Sequence, residues 1–320
     1  MDIIVNLLVS GLQQGLIWSI MVLGVYISYR VLDCADLSVE GTFPLGATLA
    51  ALLIFANVPP LIATIVSIIG GLLAGALTGL LHTKLKIPAI LSGIITMTAL
   101  VSINLVVLGF ASKTSGSLAS LAINNTVYKG TNNGIFELFH DTFGIESFTK
   151  AISSKISVIL ITGAFVAVCY VTIYYLFGTE FGMSLRATGN NQKMANAQGI
   201  NTHIMIIVGL SLSNGLVALS GALFAQNTGT ANVDCGKGAI VIGLAAIIIG
   251  EIIFGKKTFK VALISIIVGS FIFFLLKAIA IKLGVDHYLN LVVAILIAFI
   301  LAFPVLKPLF KKKVTSDARN

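Results

Sequence analysis

About nine stretches of this 320-residue chain are apolar over the length that a bilayer demands. They run roughly Ile3–Tyr29, Thr42–Asn57, Leu61–Leu81, Ala89–Phe110, Ile156–Phe177, Ile204–Ala225, Ala239–Phe254, Val261–Leu283 and Tyr288–Phe303. Hydrocarbon offers no partner to a backbone N–H or C=O, so each stretch must pair its own backbone groups, and a helix is the form that does so. A soluble domain carries roughly 25% charged residues, whereas this chain carries 10% and is 57% hydrophobic. The sequence therefore predicts an all-α, polytopic membrane protein forming a single domain over residues 1–320. The second and seventh stretches are short for a full crossing and read as broken or re-entrant helices.

The net charge of +8 is loop charge that sets orientation, and it gives no reason to expect a nucleic-acid partner. If the spans alternate, Arg30, Lys84, Lys86, Arg186, Lys193, Lys256, Lys257, Lys260, Lys307 and Lys311 to Lys313 share one side. By the positive-inside rule that side is cytoplasmic. The N-terminus is then outside, the 111–155 loop extracellular, and the 178–203 loop and C-terminal tail cytoplasmic. No basic residue precedes the first apolar run, which argues against a cleaved signal peptide. Cys34, Cys169 and Cys235 lack metal spacing, and the four histidines are scattered.

A weak internal repeat is visible. Residues 11–38 open with GLQQGLIWSIMVLG and close with DCADLS; residues 209–236 open with GLSLSNGLVALSG and close with ANVDCG, placing Asp36 opposite Asp234. Each block leads into a short Gly-containing apolar segment and then longer spans. With the orientation above the two copies, about 1–110 and 204–310, start on opposite sides. That is the inverted repeat of transporters, whose substrate path lies between the halves.

Catalytic motifs are missing. GEIIFGKK, Gly250 to Lys257, comes near the phosphate-loop pattern, but a lysine stands where Ser or Thr would hold magnesium, and the segment belongs to an apolar span. Neither H-E-x-x-H nor G-x-S-x-G occurs. The chain is expected to be no enzyme, with no catalytic residue, cofactor or metal of its own.

One well-marked polar segment interrupts the apolar pattern, LRATGNNQKMANAQGIN from Leu185 to Asn201. Asn190 or Asn191 can cap a helix start, QKMANAQ suits about two turns of helix, and Gly199 supplies a left-handed stop. Small Ala195 and Ala197 allow close approach. The expectation is a short capped helix offered to a groove on a partner. The stretch GMSLRATGNNQKMANAQGIN resembles the cytoplasmic signature of ABC-importer permeases of the branched-chain amino acid/ribose/autoinducer type. Gly182, Leu185, Arg186, Ala187, Gly189, Asn191, Gly199, Ile200 and Asn201 fall on that signature, and Ala195 lies one residue from its alanine. ADLSVEG, Ala35 to Gly41, resembles a turn of the sugar-type members.

The resemblance implies two permease copies lining one path, separate cytoplasmic ABC ATPase subunits carrying ATP and magnesium, and an extracellular binding (lipo)protein delivering the substrate at a bacterial plasma membrane. The polar segment is then a coupling helix built from the residues just named together with Ala197, and Arg186 is either an ATPase contact or a positive-inside anchor. The nearest likeness is to small permeases linked to amino acids, often aromatic ones.

Inside the membrane, Asp33, Asp36, Ser38 and Glu40 gather where the first span gives way to the second. Charge is costly in lipid, so such groups face a cavity or a partner. Asp36, Ser38, Glu40, Asn104, Asn214 and Gln226 are the candidates for a substrate path. The competing reading is that they join helices by hydrogen bonds, or that the carboxylates are interfacial and solvated. An ion-coupled secondary transporter, with Asp36, Glu40 or Glu251 carrying the ion, is the alternative function.

Overall fold

The computed structural model describes residues 2–112, 120–122, 150–255 and 258–282, with the single positions 295 and 298. Helix α1 (Asp2–Val25) passes directly into one π-helical turn, Tyr26–Val31, and then breaks. Helices α2 (Val39–Phe55), α3 (Pro60–Thr83) and α4 (Ala89–Ser112) follow, and then a short strand β1 (Ser120–Ala122). The long α5 (Lys150–Gly178) leads into two short helices, α6 (Glu180–Asn190) and α7 (Gln192–Ala197), before α8 (Thr202–Thr228). Strand β2 (Thr230–Asn232) and a 3-10 turn (Val233–Gly236) precede α9 (Ala239–Phe254) and α10 (Phe259–Lys282).

Seven helical segments among the described residues are long and apolar enough to cross a membrane: Leu8–Val31, Pro60–Thr83, Ala89–Phe110, Val158–Gly178, Thr202–Thr228, Val233–Phe254 and Phe259–Lys282. Val39–Phe55 is an eighth, shorter one. They fall on the first eight expected spans. The ninth, Tyr288–Phe303, lies outside the described residues apart from two isolated positions, and so do Lys256, Lys257, Lys307 and Lys311 to Lys313. A two-stranded antiparallel ladder was not expected: Ser120 pairs with Asn232, Leu121 with Ala231 and Ala122 with Thr230.

Helix α8 is the centre of the bundle, packed against α1, α2 and α3, while α10 packs on α1 and α9. Lipid gives no hydrophobic drive to helix pairing, so the contacts rely on close van der Waals fit and small residues. Gly71, Gly75 and Gly79 line one face of α3, and a Cβ on any of them would come within 2.7 Å of Asn214, Leu210 or Ile207 of α8. Helices α2 and α8 approach as closely. A Cβ on Gly46 would stand 2.0 Å from the Ala218 carbonyl oxygen, and one on Gly221 would stand 2.0 Å from that of Phe43. Trp18 of α1 fills the space above this crossing, stacking on Phe43 at 4.9 Å between ring centres and meeting Phe274 at 5.2 Å and Phe224 at 5.9 Å. One indole thus ties α1, α2, α8 and α10. The outward faces of α3, α4 and α5 carry exposed apolar side chains such as Leu73, Phe110 and Tyr175.

Candidate functional site

Two polar regions stand out against this apolar frame. The first is buried. Between α1 and α2 the chain leaves helix at Leu32, and Asp33 takes a left-handed backbone with φ 53°. Asp36 then turns inward. Its Oδ1 accepts the Ser38 N–H at 2.8 Å and its Oδ2 accepts Asn214 Nδ2 at 2.7 Å. Ser38 Oγ donates to Asn214 Oδ1 at 3.2 Å, and Asn214 Nδ2 also reaches the Leu210 carbonyl. All three side chains are buried. The Asp36 carboxylate is therefore not solvated. Asp33, by contrast, is exposed, so the structure splits the sequence cluster in two.

Asn104 and Gln226 belong to the same kind of seam. Asn104 Nδ2 donates to the Gly41 carbonyl at 3.2 Å and its Oδ1 accepts Thr48 Oγ at 3.4 Å, joining α4 to α2. Gln226 Nε2 donates to Thr64 Oγ at 2.8 Å, joining α8 to α3. These residues bind helix to helix, as the competing reading had it. Glu40 is half-buried and its carboxylate meets the Gly238 N–H. Pro44 has no N–H to return to the Glu40 carbonyl four residues back, and Gly236 fills that spot, where a Cβ would meet the carbonyl oxygen at 2.3 Å and the Pro44 ring at 2.5 Å. The break after α1 and the break after α8 thus meet. Glu251 lies apart from the seam, since Arg30 holds it through Nε at 2.9 Å and Nη2 at 3.1 Å.

The second region is the hairpin of α6 and α7. Three consecutive helices are started by side chains of the polar segment or its edge. The Thr179 hydroxyl accepts the Gly182 N–H at 3.3 Å, Asn191 accepts the Met194 N–H at 3.1 Å, and Asn201 accepts the Ile204 N–H at 3.3 Å. Of the two possible caps for the short helix, Asn191 takes the role. Each such cap stabilises a helix by about 1 kcal/mol. Gly199, at φ 84°, turns the chain out of α7. The short capped helix read in the sequence is therefore present, though the stretch before it, which carries Arg186 and Ala187, is itself helical.

The hairpin is held to the body by part of its signature. Leu185 and Gly182 are buried, and Gly189 sits so close to the Val31 carbonyl that no side chain would fit. The Arg186 guanidinium lies over the Phe259 ring at 4.5 Å and the Phe177 ring at 5.6 Å, and it donates to the Phe177 carbonyl. Ala187 and Ile200 are half-buried. Ala195 corrects an expectation. It is 1% exposed within this chain, so it seats α7 on the protein itself and cannot touch a partner. The outward face consists of Gln192, Lys193, Met194, Asn196 and Ala197. Sequence reasoning picked only Ala197 of these. The signal available was the cap: with Asn191 fixed as N-cap, Ala195 is one turn in and its neighbours face away.

A bundle of apolar helices closed by glycine contacts, interrupted at its centre and carrying a capped hairpin on one edge, is the frame of a polytopic membrane protein. Comparison with known proteins makes this particular. Residues 7–302 match the family described as branched-chain amino acid transport system / permease component, and the chain belongs to that family. It is 38% identical over 296 residues to a tyrosine transport system permease protein of Clostridioides difficile, covering 92% of this chain and 90% of that one. It is 28% identical over 288 residues to an uncharacterized protein of Rickettsia prowazekii, covering 88% and 91%. It is also 28% identical over 222 residues to the autoinducer 2 import system permease protein LsrC of Salmonella typhi, covering 68% and 55%. No solved structure matches the chain. The protein is a multi-pass permease component of a transport system, a subunit that carries no catalysis.

Proposed function

We propose that this chain is the membrane half of an ATP-driven importer for a small polar metabolite, with an amino acid bearing an aromatic ring as its cargo. The observation that carries the reading is the hairpin: α7 is capped, seated through Ala195, and presents Lys193, Met194 and Ala197 outward with no role in the body. Helices with such a face fit a groove on a partner, here a cytoplasmic ABC ATPase that holds ATP and magnesium. The cargo rests on the relative named as a tyrosine transport permease. An extracellular binding protein delivers it at the bacterial plasma membrane, and two permease copies related by a two-fold axis enclose the path. The N-terminus lies outside, with the hairpin and C-terminal tail cytoplasmic.

The inverted repeat is part of this reading. The order long helix, break, short helix, long helix occurs as α1–α2–α3 and again as α8–α9–α10. In each half the first helix packs on the third helix of the other, α1 on α10 and α8 on α3. The path then runs where the two breaks meet, near Asp36, Ser38 and Glu40.

The test is reconstitution with the ATPase and binding protein in vesicles, with uptake of labelled L-tyrosine as readout. Uptake should require ATP, and Ala197→Glu should lower it about 10-fold, the equivalent of one lost contact of 1.4 kcal/mol, with unchanged yield of folded protein. Uptake driven by an ion gradient without the ATPase would instead favour a secondary transporter using the buried Asp36.

A further inference from the structure

A cavity of about 410 Å³ lies beside the hairpin, lined by α6, α10 and the π-helical end of α1. It shares no lining residue with the Asp36 seam. Its walls carry Arg30, Arg186, Asp33, Tyr29 and Phe259. We propose that it is a second binding site, on the cytoplasmic side, for a free α-amino acid with an aromatic side chain, where accumulated cargo slows its own import. The proposal rests on the importer reading for its regulatory meaning.

The chemistry of the walls selects the ligand. Arg30 spends Nε and Nη2 on Glu251. Nη1 takes part in neither bond, and the ion pair fixes the plane of a guanidinium that lines the cavity, leaving it donors for a carboxylate. Arg186 is a second cation on the wall, itself held between rings. Asp33 is exposed and makes no ion pair among the described residues, which suits an ammonium group. Tyr29, with 43% of its surface exposed, offers a ring face, while the Phe259 ring carries the Arg186 guanidinium and so holds that cation on the wall. A simple anion would meet repulsion from Asp33, and a simple cation would meet it from Arg186, whose charge no ion pair among the described residues offsets as Glu251 offsets that of Arg30. A zwitterion with an aromatic ring satisfies all three features, and the volume lies within the roughly 300–1,000 Å³ of small-molecule sites.

Regulation follows from position. The same cavity touches α6 at Gly189, where the coupling hairpin joins the body. A ligand there bridges α1, α6 and α10, and it acts by binding the arrangement in which they lie together more tightly than any in which they part.

The experiment uses the complete complex in lipid nanodiscs, permease with ATPase, stimulated by binding protein already saturated with L-tyrosine. Further L-tyrosine in the millimolar range should slow ATP hydrolysis. Tyramine, which lacks the carboxylate, and 3-(4-hydroxyphenyl)propionate, which lacks the ammonium, should not. Asp33→Asn should raise the half-inhibitory concentration about 10-fold, as expected for loss of one charged contact, with stimulation by the loaded binding protein unchanged. Asn is at home in the left-handed backbone that Asp33 adopts, so the variant keeps the fold. Stimulation without inhibition in the wild type, or inhibition unaltered in Asp33→Asn, overturns the inference and leaves the importer reading intact. If no amino-acid-loaded binding protein stimulates the complex, that reading falls instead. Direct binding of labelled L-tyrosine then decides the cavity alone: binding lost in Asp33→Asn retains the site, and no binding in the wild type removes it.

Discussion

The buried seam and the edge hairpin use the same residue types to opposite ends. In the seam, Asn214 reaches Asp36 in the break after α1 and Asn104 reaches Gly41 of α2, partners far away in sequence. In the hairpin, Asn191 and Asn201 each bond a backbone N–H three residues on. The difference follows from the surroundings. In an apolar interior, where burial alone does not choose which helix faces pair, a long-range polar contact fixes the pairing. At a wet edge, local caps complete a helix without recourse to the rest of the chain, and the outward side chains remain exposed.

The contrast is sharpest at glycines. Gly221→Val places atoms against the Phe43 carbonyl in the seam's tightest crossing, where overpacking exceeds the usual ~1–3 kcal/mol because backbone cannot yield as a side chain does. The expected outcome is loss of monodisperse protein after detergent extraction. Gly163→Val, on α5 with nothing near the added Cβ, should extract like the wild type. Equal yields of the two would break the claim that α2 and α8 are locked by shape.

A smaller effect is expected from Asp36→Leu, which strips Ser38 N–H and Asn214 Nδ2 of an acceptor at about 1–3 kcal/mol for each buried donor left unpaired. Asp36→Asn, which keeps one acceptor oxygen, should lose less, so Tm should fall in the order wild type, Asn, Leu. The smallest change is Asn191→Ala, about 1 kcal/mol and confined to the hairpin. Amide exchange should rise across residues 192–198 with Tm unmoved. If Asn191→Ala lowers Tm as much as Asp36→Leu, the two regions are one cooperative unit and the distinction fails.

Much of the frame could be read from the chain because lipid leaves so few solutions: eight of the expected spans coincide with helices, and Gly199 and Asn191 stand where their backbone roles require. What could not be read was direction. Whether Asp36 points to water or to Asn214 depends on α8, which is remote in sequence. Ala195 is small for seating against its own body as well as for docking, and composition cannot tell the two apart. Arg186 reads as an ATPase contact or a positive-inside anchor, and neither reading reveals the Phe177 and Phe259 rings beneath its guanidinium. The β1–β2 ladder left no trace in alternation because each strand has three residues, too few for a period of two to show.

The central place of α8 also governs how the protein can be made. A ribosome delivers α1 to α4 first, and their glycine faces and the Asp36 carboxylate then lie in the membrane with nothing to close them. Only when Leu210 to Gln226 arrive do α1, α2 and α3 acquire a common partner. The N-terminal half is thus an unfinished surface, matured from within by its own second half. A gene cut between α4 and α5 would yield two fragments that become one protein only when expressed together.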